Sequence, residues 1–357
     1  MKSSSSIASL DFSSLTQIGS GSYSETFRWS SPDSSNFCVK LWKSDAKIGV
    51  PADAIREIAN LEALKSKFVI SLLEHGVNEQ SNKMFAIYEL MPMDLARFIG
   101  QKSYHPEPKT VRHIAKQLVS ALNFIHTEGF VHRDFNPNNI LIDPERGNLI
   151  RVADFGLAVR MNKGKAKPRL GLTGTPKYMS YEQTNKTFQY DYKTDIWSLG
   201  CVIAELCLGK QLFETPKEKI AQQFAPLHPQ NLPKNQNVTQ NQHAIQNPTK
   251  NQNQNQNQNL PPNQAPSHPQ TQAKHLPVSY QDPNSALNRL QGDFLSVLFP
   301  KETQGSIFPS PEFFDFEEKV AGVMGKTGFE LLRSMFAPDW RKRPSASEIL
   351  EHSYFSE

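Results

Sequence analysis

Cysteine is scarce in this chain: three in 357 residues, Cys38, Cys201 and Cys207. Their spacing fits neither a metal site nor a redox motif, and so few thiols suit a reducing compartment. Long apolar runs are missing as well. The longest, WSLGCVIAELCLG at 197–209, is shorter than the roughly 20 residues that cross a bilayer, and it carries Glu205. The start, MKSSSSIASLDF, has no apolar core of signal-peptide length. A strong excess of one charge is also absent, since 39 Lys and Arg against 35 Asp and Glu leave +4. The lysines are scattered rather than striped, so neither a nucleic acid nor a membrane is expected as partner. Together these absences predict a soluble protein of the cytoplasm, the nucleus or both.

Apolar residues make up only 38% of the chain, and one segment accounts for the shortfall. Residues 217–283 differ from everything around them, with a core, QNLPKNQNVTQNQHAIQNPTKNQNQNQNQNLPPNQAPSHPQTQ, dominated by Asn, Gln and Pro. Such a stretch cannot bury enough surface to offset its ordering entropy and is expected to be disordered. Closing a loop costs only logarithmically more as it lengthens, so a folded domain tolerates the insertion. It is either a neutral expansion or a self-association and docking segment.

Ahead of the insertion the pattern changes once. ALKSKFVISLLEHG (63–76) and NKMFAIYEL (82–90) read as strands beside Gly and Asn turns. Between them and the first strands, PADAIREIANLEALK has apolar residues at 54, 55, 58, 61 and 64, a helical stripe. From Thr110, Val111, Ile114, Ala115, Leu118, Leu122 and Ile125 mark another helix, with Gly129 as its stop. TDIWSLGCVIAELCLG is apolar nearly all round and is expected to be a buried helix. The order predicts an α+β fold, with a small β-rich lobe holding one helix before a larger helical lobe.

Three local patterns carry chemistry. In NILIDPERGNLIRVADFG, residues 139–156, two apolar runs flank a DPERG turn and form a hairpin. Antiparallel pairing then brings Asn139, before the first strand, beside Asp154, after the second. An amide oxygen and a carboxylate with phosphates completing the shell suit Mg²⁺, although a DxG after a strand is also a common turn. Glu57 shares a helix face with Ala54 and Leu61. It is either a solvated residue at the edge of the stripe or a buried carboxylate needing a cation, for which Lys40 in FCVK is the upstream candidate. In IGSGSYSETF, Gly19 and Gly21 let backbone N–H groups approach a phosphate, or simply form a hairpin tip.

In order along the chain, these segments resemble the protein kinase family. IGSGSYSET resembles its Gly-rich loop, FCVK its strand lysine and HRDFNPNN (132–139) its catalytic loop, while DFG stands unaltered at 154–156. GTPKYMSYE, DIWSLG and RKRPSASEILEHSYF resemble the end of the activation segment and two later helices. GVPADAIREI, NKMFAIYELMPMDLARFI and GKQLFETPKEKI look most like the cyclin-dependent kinases. The resemblance covers residues 12–212 and 290–355. It implies the bilobal protein kinase fold over 12–355, with a small lobe at 12–90, a large lobe at 91–355 and a tail at 1–11.

That likeness implies an ATP-dependent serine/threonine kinase acting on protein substrates with Mg²⁺. Lys40 would hold the α- and β-phosphates and pair with Glu57, and Asp134 would orient the substrate hydroxyl and accept its proton. Asn139 and Asp154 would hold Mg²⁺. Ile18, Gly19 and Gly21 would cover the nucleotide. Backbone groups of Glu89 and Met91 would meet adenine, with Tyr88 behind, Leu141 below, and Cys38 and Thr26 above. Leu61, His132 and Phe155 would stack between the lobes, Asp195 would brace the catalytic loop, and Arg343 would pair with Glu182. Thr175 implies serine or threonine acceptors. The PADAIRE helix implies a cyclin-like activator. Ser22 and Tyr23 stand where phosphorylation would repel nucleotide.

The chain departs from the family at several points. Ser24 replaces the third loop glycine, SYE replaces APE, and Met179 replaces an arginine. Leu170 stands at the place of an activating phosphothreonine, with Thr173 the nearby substitute. Arg56 and Arg133 keep two of three phosphate-binding arginines, and the third is displaced to Arg160. Asn136 replaces a lysine that contacts the γ-phosphate. One lost charge-assisted hydrogen bond is worth about 1.5–3 kcal/mol, or roughly 10- to 100-fold in rate. The competing readings are a pseudokinase scaffold that binds nucleotide or a partner, and an assembly module driven by the Asn/Gln segment.

Overall fold

Alternating strands at the start of the chain build an antiparallel sheet in the order β1-β2-β3-β5-β4. The strands are β1 (Thr16–Ser20), β2 (Ser24–Ser30), β3 (Asn36–Trp42), β4 (Leu72–Asn78) and β5 (Lys83–Glu89). In this computed structural model the described residues are all but 1–9, 11, 22–23, 32–34, 44–50, 79–80, 82, 162–166, 169–172, 185–188, 214–282, 300–312, 314 and 357. Ser22, Tyr23, Leu170 and nearly all of the Asn/Gln segment therefore lie outside them. Pro283, the last residue assigned to that segment from sequence, instead begins a helix.

Helix α1 (Ala52–Ala63) crosses the sheet with Ala54, Glu57, Ile58 and Leu61 buried. Ile55, on the same sequence stripe, is 54% exposed. The run 63–76 is only partly the strand its composition predicts. Ala63 closes α1, and Val69 forms a parallel bridge to Val152 while Ile70 N donates to the Val152 carbonyl at 2.9 Å. The apolar FVI is thus spent on tying the first lobe to the second, and β4 proper begins at Leu72.

After β6 (Met93–Asp94) and α2 (Leu95–Ile99), helix α3 (Pro108–Thr127) starts on a proline whose missing N–H costs nothing there. Its buried residues include all six apolar positions read from the sequence. Gly129, at φ 82°, turns the chain out of it. Then come β7 (Phe130–Val131) and the hairpin β8 (Ile140–Asp143) with β9 (Leu149–Val152), paired from Ile140↔Val152 to Asp143↔Leu149. Asp143 accepts from the N–H groups of Glu145 and Arg146 and so fixes the turn.

Beyond the short helix α4 (Tyr181–Thr184), helix α5 (Lys193–Leu208) is buried on every side, as its composition predicts. Helices α6 (Pro283–Leu298), α7 (Phe316–Met335) and α8 (Ala346–Leu350) complete the second lobe. Phe213 and Phe294, on either side of the undescribed 214–282, meet edge to face at 5.4 Å. Trp197, Phe313, Phe316 and Phe336 extend this aromatic cluster. The residues on either side of 214–282 thus share one aromatic cluster in the second lobe.

An ion pair crosses this lobe. Arg343 donates from both guanidinium nitrogens to Glu182, at 2.7 and 2.8 Å, and both residues are buried. Its remaining donors reach the carbonyls of Ala337 and Lys193, and its plane lies over Trp197. Replacing Arg343 with Met strands a buried carboxylate, so we expect a loss of about 3–5 kcal/mol. Urea unfolding measures it; an unchanged midpoint would show that the pair does not hold α4 to the core.

Candidate active site

Lys40 sits at the centre of β3, opposite Thr26 on β2 and Ala86 on β5. Its Nζ donates to Glu57 Oε2 at 2.6 Å and lies 3.8 Å from Asp154 Oδ1. Burial works against the Lys40 ammonium, but attraction to Glu57 and then Asp154 outweighs it and raises the pKa. Burial likewise pushes the Glu57 carboxyl up, while Lys40 and the Tyr88 hydroxyl oppose the rise. Glu57 is thus the buried, paired carboxylate of the two alternatives that the sequence left open.

The loop over 132–139 is held by polar groups from several elements. Asp195, fully buried on α5, accepts from the N–H groups of His132 at 2.8 Å and Arg133 at 2.9 Å. Burial alone would raise the Asp195 carboxyl, yet His126, at 3.0 Å, and these neighbours hold it below its ordinary value. His132 Nε2 meets the Ala153 carbonyl, so it carries the proton, and Nδ1 accepts from Asp134 N. The ring stacks edge to face on Phe155 at 4.8 Å; Leu61 is buried on α1.

Asp134 is held at both carboxylate oxygens. Oδ1 accepts from Thr175 N at 2.7 Å and Oδ2 from Asn139 Nδ2 at 2.8 Å. Because Nδ2 of Asn139 is turned to Asp134, Oδ1 is its atom left to ligate a cation. Ala153 N donates to the Asn139 carbonyl at 2.8 Å, which extends the hairpin by one step and sets Asp154 next to it. Asp154 adopts φ 58° and Arg133 φ 67°, left-handed conformations that cost non-glycine residues roughly 1–3 kcal/mol. The side chain of Asp154 is 47% exposed, open to a ligand. Among the described residues no group of three or more His, Cys, Asp or Glu could hold a metal. A cation at this place would rely on Asn139, Asp154 and oxygens of a bound ligand, a set that fits Mg²⁺.

Asn136, 1% exposed, is not a bare gap where a longer side chain is missing. Its oxygen accepts from Asn138 N, and its amide donates to the Asp134 carbonyl and to Thr175 Oγ1, both at 3.1 Å. A short carboxamide at the head of a turn can provide this bracing.

The remaining predicted residues surround these. Gly19 pairs with Thr26, and a Cβ at Gly19 or Gly21 would meet nothing nearer than 3.7 and 3.6 Å. A side chain at either position would therefore make no clash with the strands. Ile18 is exposed on β1, Cys38 faces Tyr88 across the sheet, and Leu141 lies in β8. Burial pushes the Cys38 thiol up to about 11, so it stays protonated. Met91 is buried just past β5, and Glu89 binds Ser71 and Arg151 through its carboxylate. Arg56 and Arg133 reach the adjacent carbonyls of Gly156 and Leu157, whereas Arg160 lies over Phe130.

Two contacts escaped the sequence. Tyr88 OH donates to Glu57 Oε1 at 2.9 Å, and Asn60 Nδ2 donates to the carbonyls of Phe155 and Ala158. The only signal for the second was a polar residue beside the apolar stripe of α1.

Known proteins show the same pattern. The protein kinase domain matches residues 12–355. The CTD kinase subunit alpha of Schizosaccharomyces pombe is 30% identical over 205 residues, which cover 57% of this chain and 34% of that protein. Cyclin-dependent kinase 1 of Encephalitozoon cuniculi is 31% identical over 216 residues, 58% of this chain and 70% of the relative. Cell division control protein 2 homolog 1 of Trypanosoma brucei brucei is 32% identical over 203 residues, 56% of this chain and 65% of the relative. The chain thus spans between 34% and 70% of the length of these relatives.

Gly174, which delivers Thr175 to Asp134, has φ 110°, and a Cβ there would come within 2.4 Å of the Arg133 carbonyl. Gly174→Ala is expected to destabilise the protein by roughly 1–3 kcal/mol through strain and clash. Thermal unfolding tests this, and a variant as stable as wild type would mean that the turn relaxes freely.

Proposed function

Because the chain belongs to the protein kinase family, we propose that it transfers the γ-phosphate of ATP to serine and threonine hydroxyls of proteins. The observation that carries the reading is Lys40 Nζ, between Glu57 at 2.6 Å and Asp154 at 3.8 Å. Three residues far apart in sequence thereby meet at one cationic point. Phosphoryl transfer asks a protein mainly for positioning and charge neutralisation.

Lys40, oriented by Glu57, would face the α- and β-phosphates under β1 and β2, where Gly19 and Gly21 leave room. Backbone groups near Glu89 and Met91 would take adenine, between Leu141 on one face and Cys38 and Thr26 on the other, with Ile18 at the mouth. Mg²⁺ bound by Asn139 and Asp154 would neutralise charge on the phosphates. Asp134, fixed by Thr175 N and Asn139, would orient the acceptor hydroxyl and receive its proton as the new O–P bond forms and the bond to the β-phosphate breaks. Asn136 supports this by fastening Thr175 and Asp134 together, with a weaker grip on the γ-phosphate than a lysine would give.

Partners and location follow the same reading. Protein substrates and a cyclin-like activator fit it, because α1 presents Ile55 to solvent. Among the described residues no helix is long and apolar enough to cross a membrane; a place in cytoplasm or nucleus is part of the same proposal. The domain would run over 12–355, with the Asn/Gln segment as an insertion in the second lobe.

Incubation with γ-labelled ATP, Mg²⁺ and a generic basic protein tests the proposal. Asp154→Asn is expected to lower label transfer by at least about 100-fold. Equal transfer by variant and wild type would remove the metal-assisted reading of this site.

A further inference from the structure

Glu57 has two partners, not one. Its Oε2 accepts from Lys40, and its Oε1 accepts from the Tyr88 hydroxyl at 2.9 Å. Tyr88 is 5% exposed in β5, so the bond is made out of reach of water. Burial raises the phenol well above its ordinary value and keeps it a donor. With both oxygens committed, Glu57 cannot swing away without leaving a buried hydroxyl and a buried ammonium short of an acceptor, a costly outcome for each.

Residues beside Glu57 on α1 make a second set of contacts. Asn60 Nδ2 donates to the carbonyls of Phe155 at 2.9 Å and Ala158 at 3.1 Å. Arg56 Nη1 donates to the Gly156 carbonyl at 2.8 Å. These carbonyls follow Asp154 directly. The helix is therefore clipped to β5 through Glu57 and to residues 155–158 through Arg56 and Asn60, by groups of this chain alone.

We infer that Tyr88 is a positioning residue for phosphoryl transfer: its hydroxyl, with the Asn60 amide, holds α1 so that Glu57 stays on Lys40 without a second chain. The inference rests on the kinase reading above. Tyr88 acts through Glu57, and its hydroxyl reaches the reaction only by way of Lys40. A partner docking on α1 would then add to an alignment already made, and activity would be measurable with the isolated chain.

Tyr88→Phe removes the hydroxyl and little else. We expect kcat to fall roughly 3- to 30-fold, with the KM for protein substrate nearly unchanged and the melting temperature lowered by only a few degrees. Hydrogen exchange should quicken in residues 52–63, and Asn60→Leu should quicken it in the same segment. In a Glu57→Gln background, Tyr88→Phe should cost little further activity. Unchanged kcat and exchange in Tyr88→Phe would overturn the inference, as would an equal loss of rate in both backgrounds. If the isolated wild type transfers no phosphate, alignment of α1 without a second chain is overturned, whereas the kinase reading fails only if the metal-dependent transfer is also absent with an activator bound; the exchange comparison, which needs no turnover, still decides whether Tyr88 holds α1.

Discussion

The contact between Lys40 and Glu57 ties a strand to a helix at the point where the first lobe faces the second. A cation in the middle of a sheet and a carboxylate on an apolar helix stripe are each unfavourable alone. Paired, they fix the distance between β3 and α1, and through α1 they fix the segment after β9. Asp154 joins the same cation at 3.8 Å. Sheet, helix and hairpin thus converge on one charge.

The second lobe repeats this economy with Asp195 and Arg343. Each is a charge buried in a helical core, and each is satisfied by bonds that organise a loop. Asp195 shapes residues 132–133 from below, while Arg343 draws Glu182 inward and so anchors the end of the segment that carries Thr175. Asp134 stands between the two supports, held by Thr175 N and by Asn139. A side chain fixed from both ends of the loop is suited to orient a hydroxyl, because little reorganisation is left for the moment of reaction.

Much of this was legible in the sequence, for physical reasons that differ by element. Helix α5 declared itself by being apolar on every side, and α3 by its 3.6-residue stripe. The hairpin from Asn139 to Asp154 followed from its turn residues, and its register then placed two distant residues together. The run through Val69 and Ile70 misled because buried bridging segments and strands share a composition. The Tyr88–Glu57 and Asn60–Phe155 bonds were not readable at all. They depend on which atoms lie across a sheet or beneath a helix, and no periodicity records that. At Asn136 the lost charge was visible in the sequence, whereas the partners of its amide required the folded loop.

The central claim concerns chemistry at one site, and its products test it most directly. The chain should be incubated with ATP and a mixture of peptides offering serine, threonine and tyrosine acceptors, with and without Mg²⁺, and the phosphorylated residues mapped by mass spectrometry. The account predicts phosphate on serine and threonine, and only where Mg²⁺ is supplied. Phosphate confined to tyrosine, transfer that ignores the cation, or no transfer at all would contradict it.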